Sequence, residues 1–161
     1  MATDNPFIEV YDKLWELLES VADFTSLVKV GNRIKLSASK SDPFKDAVQD
    51  SDFPEVQILP GGGKSNLFAT SSTHFVDQVY FLRSVTGELN AITIFGLKWA
   101  MIKALAKTED NLGLDYIQNI TISDAQDNIE VGEENRGRLG WRGMIAINVE
   151  MKFSKDSIQE I

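Results

Sequence analysis

The clearest pattern in the chain is a strict alternation of apolar and polar residues near its end, in the stretch WRGMIAINVEMKF (141–153). One side of an extended chain would carry Trp141, Gly143, Ile145, Ile147, Val149, Met151 and Phe153. The other side would carry Arg142, Met144, Ala146, Asn148, Glu150 and Lys152. A period of two over this length is typical of a β-strand that buries one face. The stretch therefore predicts a long strand that the other elements must pair with and cover.

A helix is predicted near the N-terminus. Asp4 or Asn5 can cap it, because Pro6 follows at the position where proline suits a first helical turn. Apolar residues then recur at the three- and four-residue spacing of one helix face: Phe7, Ile8, Tyr11, Leu14, Trp15, Leu18 and Val21. The pattern predicts a helix that runs to about Ala22 and buries one side.

A second helix is predicted from about Glu88 or Asn90 to Lys107. Its apolar residues form a wide arc: Ile94, Phe95, Leu97, Trp99, Met101, Ile102, Leu105 and Ala106. The lysines stay outside this arc, and the sequence Asn111-Leu112-Gly113 ends the segment. Because Trp15, Trp99 and Trp141 each lie on an apolar face, we expect all three to pack in the core.

The remaining strands are predicted at Phe53–Leu59, Thr73–Val85 and Tyr116–Ser123, with a short strand or irregular extension within Leu27–Leu36. The element order α-β-β-α-β-β has no βαβ alternation. This order predicts an α+β fold with a curved, mostly antiparallel sheet of four to five strands and two main helices packed on one face.

Polar segments separate these elements. Residues 37–52 and 124–140 are predicted to be polar loops, and residues 154–161 a short C-terminal tail. We see no linker between domains, so residues 1–161 are interpreted as a single domain.

Composition excludes several kinds of chemistry. The chain of 161 residues contains no cysteine, which excludes disulfides, thiolate metal ligands and cysteine nucleophiles. Its net charge of −8 argues against a large basic surface for nucleic acid. It contains no run of about 18 apolar residues, so we expect no membrane helix.

The segment GGGKS (61–65) is superficially similar to a phosphate-binding loop. The required G-x-x-x-x-G-K-[ST] spacing needs a glycine where this chain has Ile58, and a helix should follow. Residues 66–72 are instead polar and lead into a predicted strand. We therefore interpret the stretch from Pro60 to Thr73 as a flexible hairpin loop.

No catalytic or metal-binding motif is present in the sequence. His74, the only histidine, stands at the start of a strand without an adjacent acid, so we interpret it as a surface or edge residue. One group of acids could in principle gather a divalent cation: Asp124, Asp127, Glu130, Glu133 and Glu134. Their spacing matches no known metal loop, which favours a solvated acidic hairpin. We expect no cofactor, no metal and no enzymatic activity.

Arginines cluster beside this acidic stretch. The charged residues concerned are Glu130, Glu133, Glu134, Arg136, Arg138 and Arg142. They can balance one another within one chain, or the acids of one protomer can meet the arginines of the next around a ring. We predict the second arrangement, with the stretch Glu130–Arg142 in contact with an adjacent subunit.

Five stretches together resemble the tail terminator, or tail completion, proteins of long-tailed bacteriophages. They are FIEVYDKLWELL, DFPEVQILPGG, STHFVDQVYFLRSVTG, NAITIFGLKWAMIKALAK, and the closing pair YIQNITIS and GWRGMIAINVEMKF. The resemblance implies a non-enzymatic virion protein, assembled in the host cytoplasm, that forms a hexameric ring on the last ring of the tail tube. Such a ring joins the tail to a head-completion or neck protein, and DNA passes through its lumen without specific binding.

Two other functions fit the same pattern of elements. A cone-shaped α+β domain could bind or hydrolyse a small ligand, which would require polar residues inside the sheet. Another phage connector, such as a head-completion or tail-tube protein, would also be structural. A cavity holding His74 and a carboxylate would favour the first of these alternatives.

Overall fold

The computed structural model describes residues 5–35, 53–66, 72–86, 91–107, 111–131 and 139–154. Within these ranges the chain forms three α-helices, one 3-10 helix and five strands. In order they are α1 (Pro6–Glu19), α2 (Ala22–Leu27), the 3-10 helix (Val30–Asn32), β1 (Arg33–Ile34), β2 (Glu55–Asn66), β3 (Thr73–Val85), α3 (Ala91–Ala106), β4 (Ile117–Val131) and β5 (Leu139–Ser154). The fold is α+β, which confirms the predicted class.

The strands form one mixed sheet in the order β1-β2-β3-β5-β4. β1 runs parallel to β2, while the other neighbouring pairs are antiparallel. β5, the alternating strand of the sequence, lies between β3 and β4. Ile147 of β5, for example, is paired with Tyr80 on one side and with Ile122 on the other. The C-terminal strand is therefore enclosed by partners along both edges.

Alternation along β5 determines where the core lies. The buried side holds Gly143, Ile145, Ile147, Val149 and Met151, as the period of two predicts. Both α1 and α3 contribute fully buried side chains to the same core cluster, among them Leu14, Leu18, Leu97 and Met101. The residues of β5 that face the other way include Arg142, Asn148 and Glu150, and these are only half-buried.

α1 begins where the sequence predicts and ends earlier. The Asn5 side chain caps it, since Oδ1 accepts hydrogen bonds from the backbone N–H of Phe7 at 3.0 Å and of Ile8 at 3.4 Å. The helix ends at Glu19 rather than near Ala22. Ser20 Oγ donates to the carbonyl of Leu17 at 2.6 Å, a local bond of the kind that competes with helix continuation. A separate α2 follows, which the sequence pattern did not predict.

The glycine triplet lies in a strand and not in a flexible loop, so that interpretation was wrong. β2 continues to Asn66, and its pairing with β3 shifts register between Pro60 and Gly63. Because the pairing is irregular here, β2 continues through Gly61–Gly63 and stays beside β3. A Cβ on Gly63 would lie 2.5 Å from the Asp77 carbonyl oxygen, so the two backbones approach too closely for a side chain.

The connection between β4 and β5 is shorter than predicted. β4 extends to Val131 and β5 starts at Leu139, so parts of the expected 124–140 loop belong to strands. Pairing between the two strands continues to Val131–Leu139, whereas β3 pairs with β5 only as far as Arg142. The predicted loop 37–52 and the tail beyond Ser154 lie outside the described residues.

Candidate functional site

The structure describes only part of the predicted charged contact. Glu130 lies in β4 opposite Gly140, and Arg142 lies in β5 between Val85 and Asn128. Arg142 is half-buried. Glu133, Glu134, Arg136 and Arg138 lie outside the described residues, so the assembly of this cluster stays a prediction.

The structure tests the candidate metal and catalytic residues only in part, because Glu133 and Glu134 lie outside the described residues. His74 is paired with Phe153 near the start of β3, and its Nδ1 has no hydrogen-bond partner there. Across the described part of the chain, no three His, Asp or Glu side chains gather as metal ligands would. Asp124, Asp127 and Glu130 fall in strand β4 instead of an acidic loop.

The most informative surface is the outer side of α3. The inner side packs in the core with fully or nearly fully buried residues: Ile94, Leu97, Ala100, Met101, Ala104 and Leu105. The outer side is also apolar, with Ile92 77%, Phe95 62%, Trp99 60% and Ile102 38% exposed. Spacings of three, four and three residues place these four on one side of the helix. We call them the α3 stripe.

Trp99 was predicted to be a core residue, and that prediction was wrong. The apolar arc of this helix is wider than one buried face, so it cannot all face one core. Leu97 and Met101 take the inner positions, and Trp99 is left on the outside. Trp15, by contrast, is 2% exposed and lies in the core as expected. Trp141 is partly buried and packs against the core.

The charged residues beside the α3 stripe on its own helix are all lysines. The sequence from Ala91 to Lys107 contains Lys98, Lys103 and Lys107 and no acid. Lys103 forms an ion pair with Asp23 of α2, and its Nζ lies 5.9 Å from the centre of the Trp99 ring. The stripe is therefore an apolar surface with a positive border, on a protein whose net charge is −8.

A groove along α1 forms a second distinctive surface. Its volume is about 710 Å³, and its lining residues are Ile8, Tyr11, Asp12, Trp15, Glu16, Glu19, Ser20 and Lys35. A smaller apolar hollow of about 270 Å³ shares Ile8 and Tyr11 with it and continues past Phe7 to Pro60, Gln78 and Tyr80. We call the two together the α1 groove. His74 lines neither part.

Acids dominate the charge of the α1 groove. Asp12, Glu16 and Glu19 face one lysine, Lys35. Lys35 Nζ donates to Glu19 Oε1 at 2.6 Å, and Arg33 Nη1 donates to Glu19 Oε2 at 2.9 Å. Burial by itself would raise the pKa of Glu19, but these two hydrogen-bonded cations outweigh it and lower that pKa below its ordinary value. Glu19 is thus ionised and already paired.

Two buried polar atoms beside the groove lack partners. Tyr11 Oη and Trp15 Nε1 are shielded from solvent and make no hydrogen bond within the described structure. Buried polar atoms in folded proteins are nearly always hydrogen-bonded. Both residues line the groove, although these two atoms are themselves closed off from solvent.

Tyrosine hydroxyls fix the start of α1 against the sheet. Tyr80 Oη donates to the Phe7 carbonyl at 2.9 Å, and Tyr116 Oη donates to Glu9 Oε1 at 2.5 Å. Burial raises the pKa of both tyrosines, and the Glu9 carboxylate raises that of Tyr116 further. The α1 groove is therefore built on a rigidly positioned helix.

Comparison of the sequence with protein-family models and with curated proteins finds no match. Among the helices that the structure describes, none combines the length and apolar character needed to cross a bilayer.

The sequence contained the signal for the α3 stripe, although the pattern was misinterpreted. A single buried helix face spans roughly three or four positions in every two turns. The apolar arc of α3 exceeds that, because Phe95, Trp99 and Ile102 interleave with Ile94, Leu97 and Met101. The excess apolar positions were the evidence for a second surface.

Proposed function

We propose that this protein is a structural subunit that assembles into a ring of the tail-terminator type at a phage head–tail joint. The observation that carries the proposal is the α3 stripe. A contiguous apolar patch with a polar border on a folded domain is the usual mark of a protein–protein contact. Phe95 and Trp99, more than half exposed, are residue types that dominate interface energetics.

The finer architecture belongs to the same proposal. A curved sheet with α1 and α3 on one of its faces is what the resemblance to tail terminators implies. The apolar side of β5 and the shared core of both helices support this arrangement. In a ring, the opposite side of the sheet, with Asn148 and Glu150, would face the lumen or a neighbouring subunit.

The β4–β5 hairpin supplies a further contact in this proposal. Its pairing extends to Val131–Leu139, beyond the point where β3 ends. Acids of one subunit, Glu130, Glu133 and Glu134, would meet Arg136, Arg138 and Arg142 of the next. A ring with net negative charge would also let DNA pass without gripping its phosphates.

Measurement of assembly tests the proposal directly. Light scattering after size exclusion, native mass spectrometry and negative-stain images are expected to show a closed ring, a hexamer by resemblance. Mixed with tail tubes and a neck protein, the ring should lie at one end of the tube and bind the neck protein. A strict monomer in the presence of tubes contradicts the proposal. Incorporation along the tube would instead indicate a tail-tube protein.

A small-ligand-binding domain is the second candidate, and the α1 groove favours it. The unpartnered Tyr11 Oη and Trp15 Nε1 lie beside a groove large enough for a small molecule. The groove lies on α1, however, and not inside the sheet, where β5 presents only apolar side chains and Gly143. A screen of small amphiphiles by thermal shift tests it: a ligand whose stabilising effect disappears in Tyr11→Phe would support binding there.

A further inference from the structure

Two surfaces of this chain are complementary to each other. The α3 stripe is apolar with lysines at its border, and the α1 groove has an apolar floor with acids at its border. We infer that the α3 stripe of one copy docks in the α1 groove of a second copy. This inference rests on the proposed function, because it names the surfaces by which the ring subunits meet.

The exposed apolar area of the stripe suits the centre of such a contact. Phe95 and Trp99 are 62% and 60% exposed. At about 150–250 Å² per aromatic side chain, the two leave on the order of 250 Å² of apolar surface uncovered. A stable interface buries about 800 Å² on each partner. The stripe therefore fits the dehydrated centre of an interface, and the charged borders would contribute the remainder.

Charge favours the groove as the partner of the stripe. Lys107 is exposed and Asp12 is exposed, and neither has an ionic partner within the described residues. Glu16 is paired with Lys13 at 3.3 Å, and their side chains are 71% and 42% exposed. Docking would bring the cations of α3 beside these acids of α1. Complementary borders of this kind fix orientation and suppress other pairings.

The same charges argue against contact between two stripes. A symmetric pairing of α3 with α3 would bring together two helices whose charged residues are all lysines, of which Lys103 is already paired with Asp23 of α2. Like charges facing each other across an interface are strongly unfavourable. No residue of the stripe lines the groove, so each copy can give its stripe to one neighbour and its groove to another. Such head-to-tail contacts generate a closed ring where the rotation between neighbouring copies closes, and an open filament where it does not.

A mixing experiment tests the docking. Trp99→Glu blocks the stripe, and Ile8→Lys, at a position 41% exposed, places a cation in the groove. Each variant alone is expected to be monomeric, with self-association weakened about 30-fold or more, as for loss of a central interface residue. An equimolar mixture should form a one-to-one dimer and nothing larger, because only one intact stripe and one intact groove remain to meet.

Matched controls use a position outside both surfaces. Val30 is 75% exposed, so Val30→Glu and Val30→Lys repeat each charge change without touching the stripe or the groove. Both controls should assemble like the unaltered chain. Phe95→Glu in the stripe and Asp12→Lys in the groove repeat the two disruptive charge changes at other positions. Circular dichroism establishes that every variant is folded.

Cross-linking gives an independent measurement. The chain lacks cysteine, so a single engineered cysteine is the only thiol in each copy. A short bis-maleimide should join Phe95→Cys protein to Asp12→Cys protein in a mixture. It should not join Phe95→Cys protein to itself or to Val30→Cys protein.

The possible failures are distinguishable. A ring that persists in Trp99→Glu or Ile8→Lys overturns the docking and leaves the proposed function intact. Assembly retained by Ile8→Lys but lost by Trp99→Glu indicates stripe-to-stripe contact. A fall in melting temperature for Trp99→Glu without any change in assembly indicates that another segment of the same chain covers the stripe. A ring that depends on the stripe but does not bind tail tubes contradicts only the proposed function. A strict monomer contradicts both the docking and the proposed function.

Discussion

The helices α1 and α3 pack against the same core yet differ in what their outer sides require. α1 has a cap at Asn5, a polar outer side with Asp12 and Glu16, and apolar residues turned mainly inward. α3 turns apolar residues both inward and outward. The fold alone accounts for the buried residues of α1, while Phe7 and Ile8 at its start are 40% and 41% exposed. The fold alone does not account for the exposed apolar side of α3, which the proposed docking would cover.

The two helices are also held differently. Polar contacts fix α1 at both ends, through Tyr80 and Tyr116 near its start and through the Glu19–Arg33 ion pair at its end. α3 is held chiefly by buried apolar packing. Substitutions in each helix can separate these two modes of attachment.

The largest effect is expected on the inner side of α3. Leu97→Ala removes a fully buried side chain from the core and should lower the free energy of unfolding by about 2–5 kcal/mol. Trp99→Ala, two residues along, should change the unfolding of the monomer by about 0.5 kcal/mol or less. Urea denaturation of both variants at low protein concentration measures the difference. Equal losses would contradict the division of α3 into a core side and a docking side.

High pH should weaken the attachment of α1. The folded pKa of Tyr80 is raised above its ordinary value of 10.0 because burial disfavours the phenolate. Its contribution is fully present below pH 10 and is lost as pH rises toward the folded pKa, since the unfolded chain releases the proton first. Stability should fall by about 1.4 kcal/mol per pH unit above 10 for this tyrosine.

Tyr80→Phe is the control for that measurement. It lacks the titrating group, so its stability should decline less steeply above pH 10 in the same denaturant titrations. A slope identical to that of the unaltered chain would show that Tyr80 ionises freely in the folded protein.

Loss of the cap should have a smaller effect on α1. Asn5→Ala removes the acceptor for two backbone N–H groups, which costs about 1 kcal/mol of stability. Asn5→Asp keeps the acceptor and serves as the matched control. Thermal unfolding of the three proteins gives the comparison, and an Ala variant as stable as the Asp variant would refute the capping role.

The smallest effect is expected at the other end of α1. Glu19→Gln weakens the ion pairs with Arg33 and Lys35 and should cost about 1 kcal/mol or less at neutral pH. The folded pKa of Glu19 is lowered, so its contribution is present above the ordinary value of 4.5 and is lost as pH falls through the folded pKa. The difference between the two proteins should therefore shrink in acid. A constant difference from neutral to strongly acidic pH would contradict this pairing.

The sequence predicted those parts of the fold in which local pattern and burial agree. Alternation located β5, and the predicted strand at Thr73–Val85 coincides with β3. Asn5, one of the two predicted caps, is also confirmed, as is the burial of Tyr11, Leu14, Trp15 and Leu18 along the predicted apolar face of α1. In each case the spacing of apolar residues within one element indicates which of its side chains are buried.

Prediction failed where burial depends on distant segments. Nothing local distinguishes the exposed Trp99 from the buried Leu97, because both belong to the same wide apolar arc of α3. Polar composition likewise suggested a loop at Gly61–Gly63, whereas pairing with β3 keeps it in a strand. The α1 groove could not be foreseen at all, since Lys35, Pro60 and Tyr80 approach α1 only through the tertiary fold.

The irregular pairing of β2 also has an evolutionary consequence. Gly63 faces the Asp77 backbone and Gly61 faces Val79 at distances that leave no room for a Cβ, whereas nothing lies within 4 Å of the corresponding position on Gly62. Selection should therefore retain the first and third glycines of the triplet and let the second drift. In diverged relatives we expect the run GGG to become G-x-G within a strand, a spacing by which such relatives can be sought.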